Sequence, residues 1–263
     1  AAALWLAAGA VLLFLTAPLA ALVWQTTRQV GGVSKQTLAT LQAAAWLTAI
    51  TSGIALALIL LFGTPLAFLL ARRQVPSNAF VETLIDLPMV LPPAVAGISL
   101  LMAFGRRGII GEWLDRYLGI TVGFTPIAVV CAQAFVAAPF YIRTARAGFA
   151  YVARDLELAA AGLGASPAQV FRAVTLPLAV PSLAAGAVLA WARALGEFGA
   201  TIMFAGNLPG RTQTMSLAIY GRYEAGDLPA ALLLASVLLA GSLLALLSAR
   251  ALGARGPTAP GLR

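Results

Sequence analysis

The chain lacks histidine and has a single cysteine, Cys131, among its 263 residues. One cysteine cannot form a disulfide within the chain, and without histidine neither a Cys/His metal centre nor histidine acid–base chemistry can be built. Lys35 is the only lysine and follows a serine, so no G-x-x-x-x-G-K-S/T phosphate loop exists. We therefore expect no catalytic residue, no metal site, no cofactor and no nucleotide hydrolysis by this chain alone.

Charged residues are scarce, since they make up 10% of the chain while hydrophobic residues make up 61%. A soluble domain carries about 25% charged residues. The composition therefore predicts an integral membrane protein embedded in lipid. The net charge of +8 does not indicate a nucleic-acid partner, because the basic residues are scattered through short connections and do not cluster on one face. Loop charges beside a membrane explain them.

Long apolar runs, by contrast, are abundant. A membrane-spanning helix needs about 20 mostly apolar residues, so six qualifying segments predict an all-α polytopic membrane protein with about six transmembrane helices. No basic residue precedes the first segment, so we interpret it as a retained span, with a signal peptide as the alternative. Three prolines in the third predict a kinked helix. The segments are Leu4–Trp24, Leu38–Leu70, Leu84–Phe104, Phe124–Ile142, Leu183–Phe204 and Leu228–Leu247.

The connection between the fourth and fifth runs favours two short helices. Residues Arg154–Gly164 are rich in Ala and Leu with Glu, and they end on glycine as helices often do. Ser166-Pro-Ala-Gln169 is then a capping box with proline at the first helical position, and Leu176-Pro177 is expected to close the second helix. We predict two helices joined at a corner, and the alternative is a pair of interfacial helices resting on lipid.

The same connection resembles the EAA loop of ABC-importer permeases, in which E-A-A is followed after fixed intervals by Gly, Ile and Leu-Pro. The residues in register are Ala159, Ala160, Gly164, Val174, Leu176 and Pro177. The glutamate position of the motif holds Leu158, with Glu157 immediately before it. By resemblance, the loop of about residues 154–177 docks into a groove on a separate ATPase subunit. The coupling residues that the resemblance implies are Glu157, Ala159, Ala160, Gly164, Ser166 and Pro177.

Two further stretches are similar to molybdate permeases and, less closely, to permeases for sulfate and tungstate. They are WARALGEFGATIMFAGNLPGRTQTMSLAIY at Trp191–Tyr220 and LPMVLPPAVAG at Leu87–Gly97. The resemblance covers about residues 38–247 and implies the type I ABC-importer permease fold, as a single transmembrane permease domain over residues 1–263. It also implies a homodimer, two copies of an ABC ATPase subunit and a periplasmic molybdate-binding protein as partners.

Arg193 and Glu197 place two charges inside the fifth run, four positions apart and therefore on one face of a helix. That face is expected to continue to Thr201, with bulky side chains opposite. An unpaired arginine at mid-membrane costs about 2.5–3.5 kcal/mol on insertion scales, so we predict an ion pair between the two. We interpret the pair as one that orients a pathway-lining helix, and a direct role in gating or a simple packing contact are the alternatives.

A turn is predicted directly after the fifth run, where Asn207, Pro209 and Gly210 lie close together. Arg211 and two nearby threonines offer hydrogen-bond donors to an anion. We predict that this segment, with Asn207 and Arg211, forms a periplasmic vestibule where molybdate is handed over. The alternative is an ordinary loop.

The residues alone leave other functions open. Sulfate and tungstate are tetrahedral dianions like molybdate, and a translocation path need not discriminate them. An ion-coupled secondary transporter needs intramembrane carboxylates, and Glu197 is the only acidic residue deep inside a predicted span. An intramembrane enzyme lacks a plausible nucleophile–base pair, because the chain has no histidine.

Overall fold

The computed structural model describes residues 2–29, 34–74 and 78–253 of the chain. Helices dominate these ranges and no β-strand lies within them, so the all-α prediction is confirmed. The helices are α1 (Ala2–Gln29), α2 (Lys35–Ala71), α3 (Asn78–Val90), α4 (Pro93–Phe104), α5 (Gly111–Leu118), α6 (Pro126–Tyr151), α7 (Arg154–Gly162), α8 (Pro167–Val170), α9 (Leu176–Leu195), α10 (Gly199–Phe204), α11 (Met215–Glu224) and α12 (Leu228–Gly253). A π-helical turn, Phe171–Thr175, joins α8 to α9.

The described helices are long and apolar enough for a multi-pass membrane protein. Five can each cross a membrane, and α3 with α4 makes a sixth if the bent pair is one span. This agrees with the prediction of about six transmembrane helices. The five are Ala3–Gln29, Lys35–Ala71, Pro126–Tyr151, Pro167–Leu195 and Leu228–Leu247.

The third predicted span, Leu84–Phe104, is not one kinked helix. The axes of α3 and α4 differ by 116°, so the chain turns sharply at this point. Pro92 lies in the turn with φ −53° and ψ 135°, because a residue that precedes another proline is pushed out of the helical region. Pro93 then occupies the first turn of α4, where its missing N–H costs nothing.

The fifth predicted span begins earlier than expected. Helical backbone runs from Pro167 to Leu195, so the prediction that Leu176-Pro177 closes a short helix is wrong. The π turn explains the difference, because Leu176 donates its N–H to the carbonyl of Phe171, five residues back. This wider turn relieves the clash that the ring of Pro177 would make with the preceding turn of an α-helix.

The fifth predicted span also ends earlier than expected. Gly196 follows the last residue of α9, and the chain resumes helical structure only at Gly199. The prediction that one helix continues to Phe204 is therefore wrong. Gly196 ends α9 with φ −86° and ψ 7°.

The described residues divide into two compact units. One comprises Thr48–Gly206 with residues from Ser242 onward, and it contains two apolar clusters. In the first cluster, α2, α6 and α9 pack around Tyr141 and Phe149. In the second, α4, α6 and α10 pack around Val136 and Phe204. Helix α6 belongs to both clusters and is the central helix of this unit.

Two glycines let α4 and α10 approach closely within this unit. A Cβ atom added at Gly97 would lie 2.7 Å from the carbonyl oxygen of Ala200, and one added at Gly199 would lie 2.4 Å from the Cβ of Pro93. Small residues commonly allow such backbone contact between membrane helices. The contact joins the LPMVLPPAVAG and WARALGEFGATIMFAGN stretches, which both carried the resemblance to molybdate permeases.

The other unit comprises residues up to Leu47 together with Asn207–Gly241. Here the first part of α2 packs with α11 and α12 around Ala44 and Leu234. Arg222 adds a polar contact, because its Nη2 donates to Thr40 Oγ1 at 2.7 Å and its Nη1 lies 3.3 Å from Asp227 Oδ2.

Candidate functional site

The predicted corner between two short helices lies between α7 and α8. Ser166 is the N-cap of α8, and its Oγ accepts a hydrogen bond from the Gln169 N–H at 3.4 Å while its own N–H donates to Gln169 Oε1 at 2.7 Å. The predicted capping box is thus confirmed. Gly164 turns the chain with φ +89°, in a region that residues with a side chain rarely adopt.

The outer face of this corner is exposed and partly apolar. Ala159, Gly164 and Ser166 are exposed, and the neighbouring Leu158 and Leu163 are 65% and 90% exposed. Exposed apolar side chains of this kind occur both at protein contacts and at lipid interfaces. The corner can therefore offer a partner both apolar contact and a defined turn.

Glu157 does not share this outward orientation. Its Oε1 forms an ion pair with the Arg72 guanidinium and also accepts a hydrogen bond from the Thr175 hydroxyl at 2.6 Å. Glu157 is thus held within its own chain, and its part in coupling to an ATPase stays a prediction. Its carboxylate finds a cation and a hydroxyl there, whereas Leu158 beside it points to solvent.

The two remaining predicted coupling residues lie on either side of the corner. Ala160 is half-buried on α7. Pro177 is exposed in the first turn of α9 and lies within continuous helix, not at a helix end. The corner therefore brings Ala159, Gly164 and Ser166 together on an exposed surface, while Pro177 belongs to the helix that follows.

Sequence reasoning missed Arg72 and Thr175 as partners of Glu157. Arg72 directly follows α2 and is separated from Glu157 by 85 positions, and Thr175 is buried at the end of the π turn. An arginine just past an apolar run looks like an ordinary loop charge. No local pattern signals that it pairs with a glutamate so far along the chain.

Arg193 and Glu197 form the predicted ion pair, with Arg193 Nη2 2.7 Å from Glu197 Oε2. The glutamate side chain is 1% exposed and the arginine side chain 30% exposed. Glu197 Oε1 also accepts a hydrogen bond from the Ala200 N–H at 2.8 Å, which satisfies a donor in the first turn of α10. Glu197 thus joins the end of α9 to the start of α10.

The prediction that Thr201 continues the face of Arg193 along one helix is wrong. It lies on α10, beyond the break at Gly196, and is fully buried. Its hydroxyl has no hydrogen-bond partner among the residues that the structure describes.

Trp191 makes a polar contact from α9, because its Nε1 donates to Ser52 Oγ on α2 at 3.1 Å.

Asn207 and Arg211 belong to the predicted turn after α10. Gly210 has φ +72°, and the N–H groups of Arg211 and Thr212 both donate to the carbonyl of Leu208 at 3.0 and 2.9 Å, so the turn is confirmed. Asn207 is tied down, because its Oδ1 accepts from Gln213 Nε2 at 2.9 Å. Arg211 is exposed.

The two threonines of this segment are not open donors. Thr212 and Thr214 are buried, and Thr212 Oγ1 accepts a hydrogen bond from the Leu208 N–H at 3.1 Å. Both hydroxyls are buried in this structure, and their role as donors to an anion stays a prediction. Arg211 alone keeps an exposed charged group.

Gln133 is a further polar side chain that sequence reasoning missed. It lies on α6, is 1% exposed, and neither polar atom of its amide has a hydrogen-bond partner in the described ranges. Among those same residues, no cluster of three or more His, Cys, Asp or Glu side chains could hold a metal.

Comparison with known proteins identifies a family. Residues 63–255 match the family described as binding-protein-dependent transport system inner membrane component. The chain is 45% identical over 179 residues to the molybdenum transport system permease protein ModB of Mycobacterium tuberculosis, covering 68% of this chain and 67% of that one. It is 38% identical over 258 residues to the sulfate transport system permease protein CysT of Escherichia coli, covering 93% and 89%.

Solved structures share the fold. A bacterial ABC transporter involved in the import of the acidic polysaccharide alginate aligns with a TM-score of 0.69 at 20% identity, covering 98% of this chain and 95% of that one. The MetNI methionine ABC transporter in inward-facing conformations aligns with a TM-score of 0.66 at 16% identity, covering 86% and 100%.

Proposed function

The chain belongs to the family of binding-protein-dependent transport system inner membrane components, and from this premise we propose that it carries molybdate across the membrane. It is a multi-pass permease subunit of an ABC importer in the inner membrane, and it is a transport subunit without enzymatic activity. The ATP must therefore be hydrolysed by separate subunits, which agrees with the absence of a phosphate loop from its sequence.

The coupling loop, defined as residues 154–177, is proposed to dock on the ATPase subunit. The observation that supports this is the exposed corner, with Leu163 90% exposed beside the left-handed Gly164. A leucine that extends from a rigid, capped corner can enter a groove on a partner with little loss of conformational entropy. Closure of the ATPases would then move α7 and α8 and change access between the two membrane faces.

Two copies of the ATPase and two copies of this chain are proposed to form the complex. One chain supplies at most six described spans, and a pathway formed at the interface between two such chains would use both. A periplasmic molybdate-binding protein delivers the anion to the opposite face. Coupling between the two faces is reciprocal in free energy, so docking of the loaded binding protein should favour the ATP-bound state of the ATPases.

Molybdate is favoured as the substrate by the relative named for molybdenum transport, which is 45% identical to this chain. Sulfate is the second candidate, because the relative named for sulfate transport aligns with 93% of the chain at 38% identity. Both anions are tetrahedral and carry two charges. The binding protein, which contacts the anion first, is expected to provide the selection between them.

Arg193 and Glu197 are proposed to hold the α9–α10 junction beside the pathway, with Thr201 on the segment that they position. The pair neutralises the arginine, so a dianion is not trapped there by a strong single site. Direct gating by the pair is the alternative. The buried hydroxyl of Thr201 gives α10 a donor that a rearrangement of the junction can turn toward the pathway.

Asn207 and Arg211 are proposed to form the periplasmic vestibule. Asn207 holds the turn through Gln213, and Arg211 extends from it with an exposed guanidinium. An exposed arginine can attract a dianion without binding it tightly. An Arg211→Ala chain that imports molybdate at the wild-type rate at low salt would show that Arg211 has no such role.

Uptake into proteoliposomes tests the function directly. The permease is reconstituted with its ATPase, loaded binding protein is added outside, and radiolabelled molybdate is measured inside with and without enclosed ATP. We expect uptake that requires ATP and that excess tungstate inhibits more than excess sulfate does. Uptake that persists without the ATPase would contradict the proposal and favour an ion-coupled transporter, whereas inhibition by sulfate alone would favour the sulfate candidate.

A further inference from the structure

We propose that Arg72, Glu157 and Thr175, here called the inner clamp, are positioning residues that transmit movement of the coupling loop to α2 and α9. The proposal rests on the proposed function, because it assumes that an ATPase docks on that loop. It adds the route by which docking is transmitted into the membrane part of the chain. None of the three residues needs to contact the anion or ATP.

A single carboxylate oxygen joins three separate elements. Glu157 Oε1 on α7 accepts from the Arg72 guanidinium, which directly follows α2, and from the Thr175 hydroxyl at the end of the π turn. The Arg72 and Glu157 side chains are only 8% and 16% exposed, and Thr175 is buried. Separating this pair would leave charge without a partner in a poorly solvated place, which is strongly unfavourable. Movement of α7 is therefore expected to pull α2 and α9 with it.

The π turn is what gives Thr175 its place in the inner clamp. An isolated π turn contains one more residue than an α turn. The helix after the turn is therefore rotated about its axis relative to the helix before it. The turn ends at Thr175, directly before α9. Because α9 continues without a break to Leu195, a shift of the π turn is transmitted along the whole of α9 toward the Arg193–Glu197 pair.

An aromatic layer lies beside the inner clamp and involves the same elements. The ring of Phe68 on α2 meets Phe171 of the π turn and Phe149 of α6 edge-on, with centroids 5.2 and 5.4 Å apart. The Arg72 guanidinium also lies 5.7 Å from the centre of the Phe68 ring. Close-packed rings transmit displacement with little compression. The layer therefore keeps the elements together when the loop moves.

Stability alone is a poor explanation for the inner clamp. Buried ion pairs can often be replaced by apolar side chains with no loss of stability. The Nε of Arg72 is also buried without a hydrogen-bond partner among the described residues, which is a further cost. A polar network that is incompletely satisfied is better explained by the position it imposes on the loop than by the free energy it adds to folding.

Thr175→Val tests the inner clamp, because it removes the hydroxyl that bonds Glu157 and keeps nearly the same shape. The variant is reconstituted with its ATPase and loaded binding protein, and the molybdate transported per ATP hydrolysed is measured. We expect this ratio to fall on the order of fivefold or more, as for loss of a typical coupling free energy. Thr175→Ser keeps the hydroxyl and is expected to restore the ratio. Glu157→Gln should lower the ratio in the same way. If Thr175→Val does not fold, the ratio in Glu157→Gln tests the inner clamp instead.

Thr144→Val is the matched control. Among the described residues, the Thr144 hydroxyl donates only to the carbonyl of Phe140 on its own helix, at 2.8 Å. This variant should keep the wild-type ratio. An unchanged ratio in Thr175→Val, or a ratio that falls equally in Thr144→Val, would overturn the inner clamp while wild-type transport still supports the proposed function. A wild-type complex that hydrolyses ATP without importing molybdate would overturn both.

Discussion

Two glutamates of one compact unit, the buried Glu197 and the half-buried Glu157, bind arginine in different ways. Glu197 reaches Arg193, four positions before it, at 2.7 Å, and its other oxygen caps α10 at Ala200. Glu157 reaches Arg72, 85 positions away, and the same oxygen also binds Thr175. The first glutamate connects two consecutive helices, whereas the second connects three elements that are distant in sequence.

The difference suggests a division of roles between the two ends of α9. A pair four positions apart can form once the end of α9 and the start of α10 are in place, so its loss should mainly affect insertion and stability. A pair formed by distant elements assembles only in the complete fold, so its loss should mainly affect how those elements move together. Four sets of variants can show whether the two ends of α9 have these different roles.

Glu197→Ala should have the largest effect on stability. It leaves Arg193 without its partner inside a membrane helix, which costs about 2.5–3.5 kcal/mol on insertion scales, and it removes the acceptor of the Ala200 N–H, which costs about 1 kcal/mol. Thermal unfolding in detergent measures the change. Arg193→Leu combined with Glu197→Leu is the control and should recover most of the loss. A Glu197→Ala chain as stable as the wild type would refute the pairing of Arg193 with Glu197.

The charge swap Arg193→Glu with Glu197→Arg should have a smaller effect. The ion pair can re-form, but an arginine at position 197 cannot accept from the Ala200 N–H, so a deficit of about 1 kcal/mol should remain. We expect import to stay below the wild-type rate because the start of α10 is no longer held. Wild-type import by the swapped chain would mean that the pair is only a packing contact.

Gly164→Val should affect coupling far more than stability. The φ of +89° at Gly164 is strained for a β-branched residue, at a cost of about 1–2 kcal/mol. The valine variant is expected to hydrolyse ATP without importing molybdate. Gly164→Asn is the matched control, because asparagine tolerates positive φ better, and it should retain part of the coupling. Full coupling in the valine variant would remove the corner from the mechanism.

Asp115 is more exposed to solvent than Glu157 and Glu197. Replacing it should have the smallest effect on stability. A hydrogen bond from Thr121 and then the nearby Arg106 lower the pKa of Asp115 below its ordinary value. A lowered pKa in the folded state stabilises the protein above the ordinary pKa of the group, and this contribution is lost as the pH falls through the folded-state value. The melting temperature of Asp115→Asn should therefore approach that of the wild type as the pH falls below about 4, the ordinary pKa of an aspartate. If the difference between the two melting temperatures grows as the pH falls, the pKa of Asp115 is not lowered in the folded state.

The features predicted correctly from the sequence are local ones. The Ser166–Gln169 capping box lies in the first turn of α8, and Arg193 and Glu197 are four positions apart across the end of α9, so residue spacing alone indicates both contacts. The apolar runs were also found, because length and composition suffice for a membrane span. The resemblance of the coupling loop to a known motif located the exposed corner.

The features missed depend on how distant elements meet. The sharp turn at Pro92 was expected to be a kink, since a proline pair does not reveal the angle between two helices. Pro177 was expected to end a helix, but a π turn accommodates it. The partners of Glu157 lie on α2 and at the start of α9, and no periodicity connects them. These are matters of tertiary packing that local patterns do not encode.

Crosslinking from the coupling loop can show whether residues 154–177 contact the ATPase subunit. Because Cys131 is the only cysteine, a Cys131→Ser chain accepts a single new cysteine at a chosen site for a photoactivatable maleimide. Leu163→Cys and Ile109→Cys are matched probes, since Leu163 and Ile109 are 90% and 89% exposed. In membranes that contain the assembled complex, the account predicts crosslinks to the ATPase subunit from Leu163→Cys and none from Ile109→Cys. Crosslinks from Ile109→Cys alone, or no crosslink from Leu163→Cys, would contradict the assignment of residues 154–177 as the contact with the ATPase.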